Sequence, residues 1–252
     1  MAEKEGEAAM KKAVLLLLAL LLLLAAVGLF FYPLLKTKQI RAEEKKETEA
    51  FFSYIEQSQV KEPNTSEEII TSQEPFPELK NACDQYNFLL FLEEQRNLDG
   101  LTMTQPALQL NQYGYAQDVF CLLSCPSVGL EMPVYLGANE SNLEKGCAVL
   151  GQTSLPVGGE NTNCVIAGHR SWNAAIRFWE IENLETGDLV YIINPWGTLT
   201  YRVAAQRTIL STSLAAIKIQ PGRDLLTLFT CTNPNSHRYL VICERVETST
   251  EK

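Results

Sequence analysis

Apolar residues form one long run near the start of the chain, over residues 13–35, with no charge inside it. The hydrocarbon core of a bilayer needs roughly 20 such residues in a helix, so the run predicts a membrane anchor. A cleaved signal peptide is the alternative, since Ala25 and Ala26 supply small residues, but its apolar region is normally only ~7–15 residues long. Basic residues stand close to both ends of the run, so the positive-inside rule leaves the orientation open.

Behind this run, the pattern divides the chain into further segments. Residues 36–77 are rich in Glu, Lys, Ser, Thr and Gln, which predicts a polar stalk with a short amphipathic helix around residues 51–55. In the next segment, 78–112, apolar residues recur at helical spacing from Leu79 onward, which predicts a helix packed by one face against the main domain. A short cytoplasmic N-terminus at 1–12 and a polar tail at 249–252 complete the organisation.

Residues 113–248 change to short strand-like runs separated by Gly, Pro and Asn. These runs are 119–124, 164–167, 189–193, 199–203, 225–230 and 239–243. The NPWG stretch at 194–197 is typical of a hairpin connection. Several strands at short spacing predict a β-barrel or a β-sandwich. The expected fold class is therefore mainly β, with one catalytic domain behind the N-terminal helix and the anchor.

Charge and cysteine usage narrow the possible functions. The formal net charge is -9, which gives no basic surface for a polyanion and argues against a nucleic-acid partner. The seven cysteines form no CxxC pair and no His/Cys spacing that suits zinc, so we expect neither a metal nor a cofactor. Most of them lie among apolar neighbours, as in VFCLL and LVICE, and are expected to be small buried hydrophobes.

Cys231 differs from the other cysteines because it ends an apolar run, LLTLFTC, beside a turn where substrate can reach a thiol. Attack of a thiolate on a peptide carbonyl needs a nearby cation, a proton donor for the leaving amine and a donor to the developing oxyanion. Arg238 cannot give up its proton, so we expect it to stabilise charge, while His169 transfers protons. His237 is the alternative for proton transfer, although strand alternation turns it away from the face of Arg238.

Three motifs in this order resemble those of sortases. TLFTC at 227–231 resembles the TLxTC signature, GHR at 168–170 resembles the segment that holds the catalytic histidine, and Arg238 in NSHR matches the essential arginine. TSLPVGGENTN at 153–163 and the NSHR sequence are similar to class C sortases, the pilin polymerases of Gram-positive bacteria. The resemblance covers roughly residues 86–246 and implies a closed β-barrel with short helices.

The resemblance also implies a function. Sortases recognise an LPxTG-like sorting signal, cleave it to leave a thioacyl enzyme at the cysteine, and transfer the acyl group to an amine. In class C this amine is a pilin lysine, and in other classes it belongs to a cell-wall precursor. Both lie outside the membrane, which places the domain on the outer side of a single-pass anchor. The alternatives are a housekeeping-type sortase that attaches surface proteins to the cell wall, a cysteine protease ending in hydrolysis, and a non-enzymatic surface binding module.

The chain departs from the class C pattern at several points. Class C sortases usually carry a lid with an Asp-Pro-aromatic motif, whereas the matching stretch here, residues 101–112, offers only Gln105-Pro106. The loop between Cys231 and Arg238 is shorter than is usual, and Gln152 stands where a glycine is expected before TSLP. The C-terminal residues ETSTEK are polar, so we do not expect there the second membrane helix that many class C members have.

Overall fold

The computed structural model of the chain describes residues 2–59, 74–170, 178–232 and 236–246. Helix α1 (Ala2–Gln59) contains the long apolar run. Within the described residues, this is the one helix long and apolar enough to cross a membrane, with an 18-residue window of mean hydropathy 3.2 that is wholly unburied. Helix α1 is therefore a candidate membrane anchor.

The second half of α1 differs from the polar stalk expected over residues 36–77. The helix continues to Gln59, and its last turns lie against the barrel described below. Its apolar residues that pack there are Ile40, Phe51, Tyr54 and Ile55. These positions share one helical face, which also includes the partly buried Glu44 and Glu47, so the charged composition of the segment concealed the packed face. Residues 60–73 lie outside the described part of the chain.

Helix α2 (Pro77–Leu92) follows, close to where the apolar periodicity predicts a helix. It begins with a proline, whose missing N–H is no loss in the first turn. Leu79 and Cys83 are fully buried in the main core. Asn87 fixes the helix to the barrel, because its side-chain amide donates to the Leu155 carbonyl at 3.2 Å and accepts from the Leu155 N–H at 2.7 Å. Two 3-10 turns, Thr102–Thr104 and Leu110–Tyr113, lead on to the sheet.

Eight strands close into a single barrel, which confirms the predicted fold class. They are β1 (Val119–Cys125), β2 (Leu130–Leu136), β3 (Cys147–Val149), β4 (Thr162–Gly168), β5 (Leu189–Asn194), β6 (Gly197–Leu210), β7 (Asp224–Cys231) and β8 (His237–Arg245). Their order around the barrel is β1-β2-β3-β4-β7-β8-β6-β5. A short helix α3 (Glu140–Lys145) connects β2 to β3, and the NPWG stretch joins β5 to β6 as expected.

The barrel has an apolar interior and a second apolar cluster on its outer face. Leu226, Leu228 and Val241 point inward into the main core. On the same strands, Leu240 and Phe229 belong to the outer cluster, in which the 3-10 helix Leu214–Ile217 covers part of the sheet. Because side chains alternate along a strand, β4, β7 and β8 are buried on both faces over most of their length. This accounts for their unbroken apolar sequences.

Candidate active site

The residues singled out in the sequence lie at the ends of three neighbouring strands. Cys231 is the last residue of β7 and pairs directly with Arg238 near the start of the antiparallel strand β8. On the other side, β4 runs parallel to β7, with Gly168 opposite Thr230, and His169 follows immediately. The end of β7 is therefore flanked by His169 on one side and by Arg238 on the other.

Strand alternation places these three positions on the outer face of the barrel. Ala167 and Phe229, two residues before His169 and Cys231, belong to the outer apolar cluster, and so does Leu240, two residues after Arg238. These three apolar side chains form a floor beneath the site. Phe229 also lies under the Arg238 guanidinium, with 6.0 Å between the guanidinium carbon and the ring centroid. A cation–π contact of this kind restricts where the guanidinium points.

Two contacts just inside the site hold the strand ends together. The Thr230 hydroxyl, buried on the inner face, donates to the Gly168 carbonyl at 2.9 Å, so it ties β7 to β4 one residue before both Cys231 and His169. The buried ring of Phe178 packs against Gly168, where any Cβ would overlap with it. A glycine before His169 is therefore required for close packing, and no unusual backbone angle is involved.

The two histidines have different surroundings. His169 is partly exposed, and its Nε2 lies 3.7 Å from Oε1 of Glu140, the first residue of α3. His237 pairs with Leu210 of β6, and its Nδ1 lies 2.9 Å from the Ser236 hydroxyl. Because it precedes Arg238 by one residue, its side chain belongs to the opposite face of β8. Its carbonyl accepts a hydrogen bond from Nη1 of Arg238 at 2.9 Å.

Cys231 is also set apart from the other six cysteines by accessibility. Those six are buried, whereas Cys231 is partly exposed. Burial raises the pKa of the Cys83 and Cys125 thiols to about 12, and it raises the pKa of Cys121 well above its ordinary value. A thiol must ionise to act as a nucleophile, so these buried cysteines are inert near neutral pH. Within the described residues, no group of three or more His, Cys, Asp or Glu side chains is arranged to hold a metal ion.

The walls of the site are held by buried polar contacts. Asn163 is 1% exposed, and its amide donates to the carbonyls of Ile217 and Lys218 at 3.0 and 3.2 Å, which fixes the 3-10 helix over the outer face. The Thr227 hydroxyl donates to the Asn163 carbonyl oxygen at 2.9 Å. These side chains belong to the TSLPVGGENTN and TLFTC motifs. Part of both motifs therefore supports the site from buried positions.

Residues 101–112, the stretch compared above with the lid of class C sortases, pack beside the floor. Met103 belongs to the outer apolar cluster, and its carbonyl accepts from the N–H groups of Ala138 and Gly151 at 3.2 and 3.0 Å. The backbone at Gln105 and Pro106 lies so close to Gly137 that a Cβ there would come within 2.6 Å of the Pro106 nitrogen. This segment is therefore fixed to the turn after β2.

Some contributors could not be found in the sequence. Glu140 reaches His169 only because α3 folds back beside the end of β4, and no spacing rule links the two positions. The role of Thr230 needs the parallel pairing of β4 and β7, which a sequence pattern does not give. Phe229 could have been inferred, since strand alternation from Cys231 puts it on the same face. Trp172, the loop residues 233–235 and the tail at 249–252 lie outside the described residues.

Comparisons with known proteins agree on one family. Residues 123–246 match the family model described as a sortase domain, which spans all three candidate residues. Sortase A of Bacillus anthracis is 30% identical over 132 residues, which cover 52% of this chain and 61% of that protein. The chain spans 53–63% of the length of the curated relatives that it matches.

Solved structures point to one class within that family. Sortase C from Clostridium perfringens, solved with the C-terminal cell wall sorting motif, is 28% identical with a TM-score of 0.59, and the match covers 79% of this chain and 99% of that one. Sortase C1 from Streptococcus agalactiae, solved in complex with MTSET, is 27% identical with a TM-score of 0.57, covering 69% and 94%. The structures similar to this chain thus include class C sortases.

Proposed function

The chain carries a sortase domain, and we propose that it is a membrane-anchored cysteine transpeptidase in which Cys231 is the nucleophile. The observation that carries the proposal is the meeting of His169, Cys231 and Arg238 at the adjacent ends of β4, β7 and β8, on one face of the barrel. The apolar floor under them offers a place for an extended peptide. The accessibility of Cys231 among otherwise buried cysteines supports the same assignment.

The first half of the reaction forms a thioester. The Cys231 thiolate attacks the carbonyl carbon of the scissile peptide bond, and the oxyanion that develops is stabilised by the Arg238 guanidinium, which stays charged at every useful pH. The C–N bond then breaks, and His169 gives a proton to the leaving amine. In this role His169 must start with a proton on its ring.

The second half transfers the acyl group. An incoming amine attacks the thioester carbonyl, His169 takes a proton from the amine, and the Cys231 thiolate leaves. One peptide bond is broken and one is formed, so no oxidant, metal or cofactor is consumed. The enzyme returns to its starting protonation state after both steps.

The donor substrate proposed here carries an LPxTG-like sorting signal. The Clostridium perfringens sortase C was solved with a C-terminal cell wall sorting motif, which supports this class of donor. Similarity to class C sortases favours a pilin lysine as the acceptor amine and thus pilus assembly. Such substrates lie outside the cell, so the barrel is placed on the outer side of a single-pass membrane helix, α1.

Three alternative functions predict different results in one experiment. The full-length protein is mixed with a panel of LPxTG-like peptides, with and without an amine, and analysed by mass spectrometry. Transpeptidation requires an acyl adduct on Cys231 and a ligated product when amine is present, both absent from Cys231→Ala. A product that is only hydrolysed would indicate a cysteine protease. Binding without any adduct would indicate a non-enzymatic surface module, and preference for a cell-wall peptide over a lysine side chain would indicate a housekeeping-type sortase.

A further inference from the structure

Helix α1 does not end at the membrane but lies against the barrel along one side. Phe51 is 1% exposed and packs in a cluster with Val119 and Leu122 of β1 and Tyr135 of β2. The Tyr54 hydroxyl donates to the Gly114 carbonyl at 3.3 Å and accepts from the Ala116 N–H at 3.0 Å. Helix α1 stays helical past Pro33 to Gln59, so apolar and hydrogen-bonded contacts of this kind fix the barrel to the anchor.

The contacts also give the direction of α1 relative to the strands. Arg41 and Glu44 line a groove together with Leu130 and Met132, at the start of β2. Further along α1, Tyr54 reaches Gly114 and Ala116, just before β1. Because β1 and β2 are antiparallel, the start of β1 and the end of β2 lie at the same end of the barrel. The apolar part of α1 therefore leaves from the opposite end, where β2 starts.

Strand directions then place the candidate active site at that same end. Strand β3 runs parallel to β2, β4 runs antiparallel to β3, and β7 runs parallel to β4. Strands β4 and β7 therefore end where β2 begins, and β8, antiparallel to β7, starts there. His169, Cys231 and Arg238 occupy those strand ends. The site thus faces the side from which the membrane segment of α1 departs.

The spacing along α1 keeps this end close to the lipid surface. The apolar run stops at Leu35, and Ile40 already packs against the barrel core. Five residues of helix span only about 8 Å. Leu210, opposite His237, is 55% exposed at this end, whereas Phe88 of α2, near the start of β4, is 61% exposed at the other end. The orientation therefore follows from the path of α1 and not from exposed apolar side chains.

We propose that α1 is a rigid strut that holds the active-site end of the barrel toward the membrane, so that the site works within a short, fixed distance of the lipid surface. The inference rests on the proposed anchor and transpeptidase function. It adds the orientation of the barrel relative to the membrane and the distance from the membrane at which the site acts. A donor peptide tethered in the same membrane meets the site only when its scissile bond lies at the height set by α1. A soluble peptide has no such restriction.

Orientation is tested without relying on catalysis. The full-length chain with Cys231→Ala is placed in nanodiscs of phosphatidylcholine and phosphatidylglycerol. A donor dye is attached at Leu210→Cys. In a matched variant, the dye is attached instead at Glu160→Cys, near the starts of β4 and β7. The six remaining cysteines are buried and resist labelling. Energy transfer to an acceptor on lipid headgroups should be clearly higher from position 210, since the strand ends are on the order of 20 Å apart. Equal transfer, or higher transfer from position 160, would overturn the proposal.

Reach is tested with the active enzyme. Insertion of a seven-residue helical segment after Leu35 lifts the barrel by about 10 Å and keeps nearly the same rotational phase. Ligation of a soluble sorting-signal peptide should be unchanged, whereas ligation of a short-spacer peptide tethered in the same vesicle should fall about tenfold or more and recover when that spacer is lengthened. Unchanged ligation of the tethered peptide would refute the strut. If the enzyme without the insertion does not ligate the soluble peptide, the proposed transpeptidase activity is refuted instead. The orientation of the barrel is then decided by the energy-transfer result alone.

Discussion

Replacement of Thr230 by valine should disturb the alignment of the catalytic residues while changing the stability of the fold only slightly. The Thr230 hydroxyl is buried and donates to the Gly168 carbonyl at 2.9 Å, immediately before Cys231 and His169. Valine keeps the shape and removes the donor. A hydrogen bond of this kind contributes about 0.5–1.5 kcal/mol net, so the melting temperature should fall by only a few degrees.

The effect on catalysis should be much larger than the effect on stability. The bond sets the separation of the β4 and β7 ends, and a shift of about 1 Å between reacting groups can cost ~10²-fold in rate. We expect ligation by Thr230→Val to fall ~10–10²-fold, while Thr230→Ser, which keeps the hydroxyl, stays near the wild type. The measurements are urea unfolding and peptide ligation to an amine under single-turnover conditions.

Thr227→Val is the matched control for this prediction. Thr227 lies on the same strand, is fully buried, and also donates to β4, to the Asn163 side chain at 2.9 Å, but four residues from Cys231. It should lose comparable or greater stability with a smaller loss of ligation. If Thr230→Val ligates as fast as the wild type, or if both valine variants lose activity in proportion to their stability, the positioning role of Thr230 is refuted.

The remaining predictions concern the histidines, the arginine and the buried thiols. His169→Ala should lose ligation almost completely between about pH 6 and 9, while His237→Ala keeps most of it, because of the two histidines only His169 lies on the same face of the barrel as Cys231. The reverse result would exchange their roles. Arg238→Lys should lower ligation by ~10²–10³-fold, since lysine cannot reproduce the planar guanidinium over Phe229, and near wild-type turnover would demote Arg238 to a packing role. Burial raises the pKa of the Cys83 thiol from 9.0 to about 12. Because the thiol of the unfolded chain ionises first, the stability that the buried thiol contributes is complete below pH 9 and is lost as the pH rises towards 12. A free energy of urea unfolding that does not change over that pH range would contradict this.

Much of the fold could be predicted from the pattern of apolar residues. The uncharged run at 13–35 predicts a long helix without any knowledge of the tertiary structure, because its length matches the thickness of a bilayer. The apolar runs that became β4, β5, β7 and β8 are continuous or alternating, so they identify strands locally. Strands β2 and β3 were not among the predicted strand-like runs, since β2 contains Glu131 and Pro133 and β3 has only three residues. The sequence left barrel and sandwich open, because closure depends on long-range pairing.

The candidate site was likewise predicted in part from the sequence, and the rest of it depends on the tertiary structure. Residue chemistry, the position of Cys231 at the end of an apolar run and the sortase-like motifs together select Cys231, Arg238 and one of two histidines. Only the tertiary structure decides that β4, β7 and β8 are neighbours, that Thr230 joins two of their ends, and that Glu140 stands beside His169. It also decides that α1 continues to Gln59, within the segment expected to be a polar stalk, and packs against the barrel. These features depend on residues far apart in the chain, and local periodicity carries no information about which distant surfaces meet.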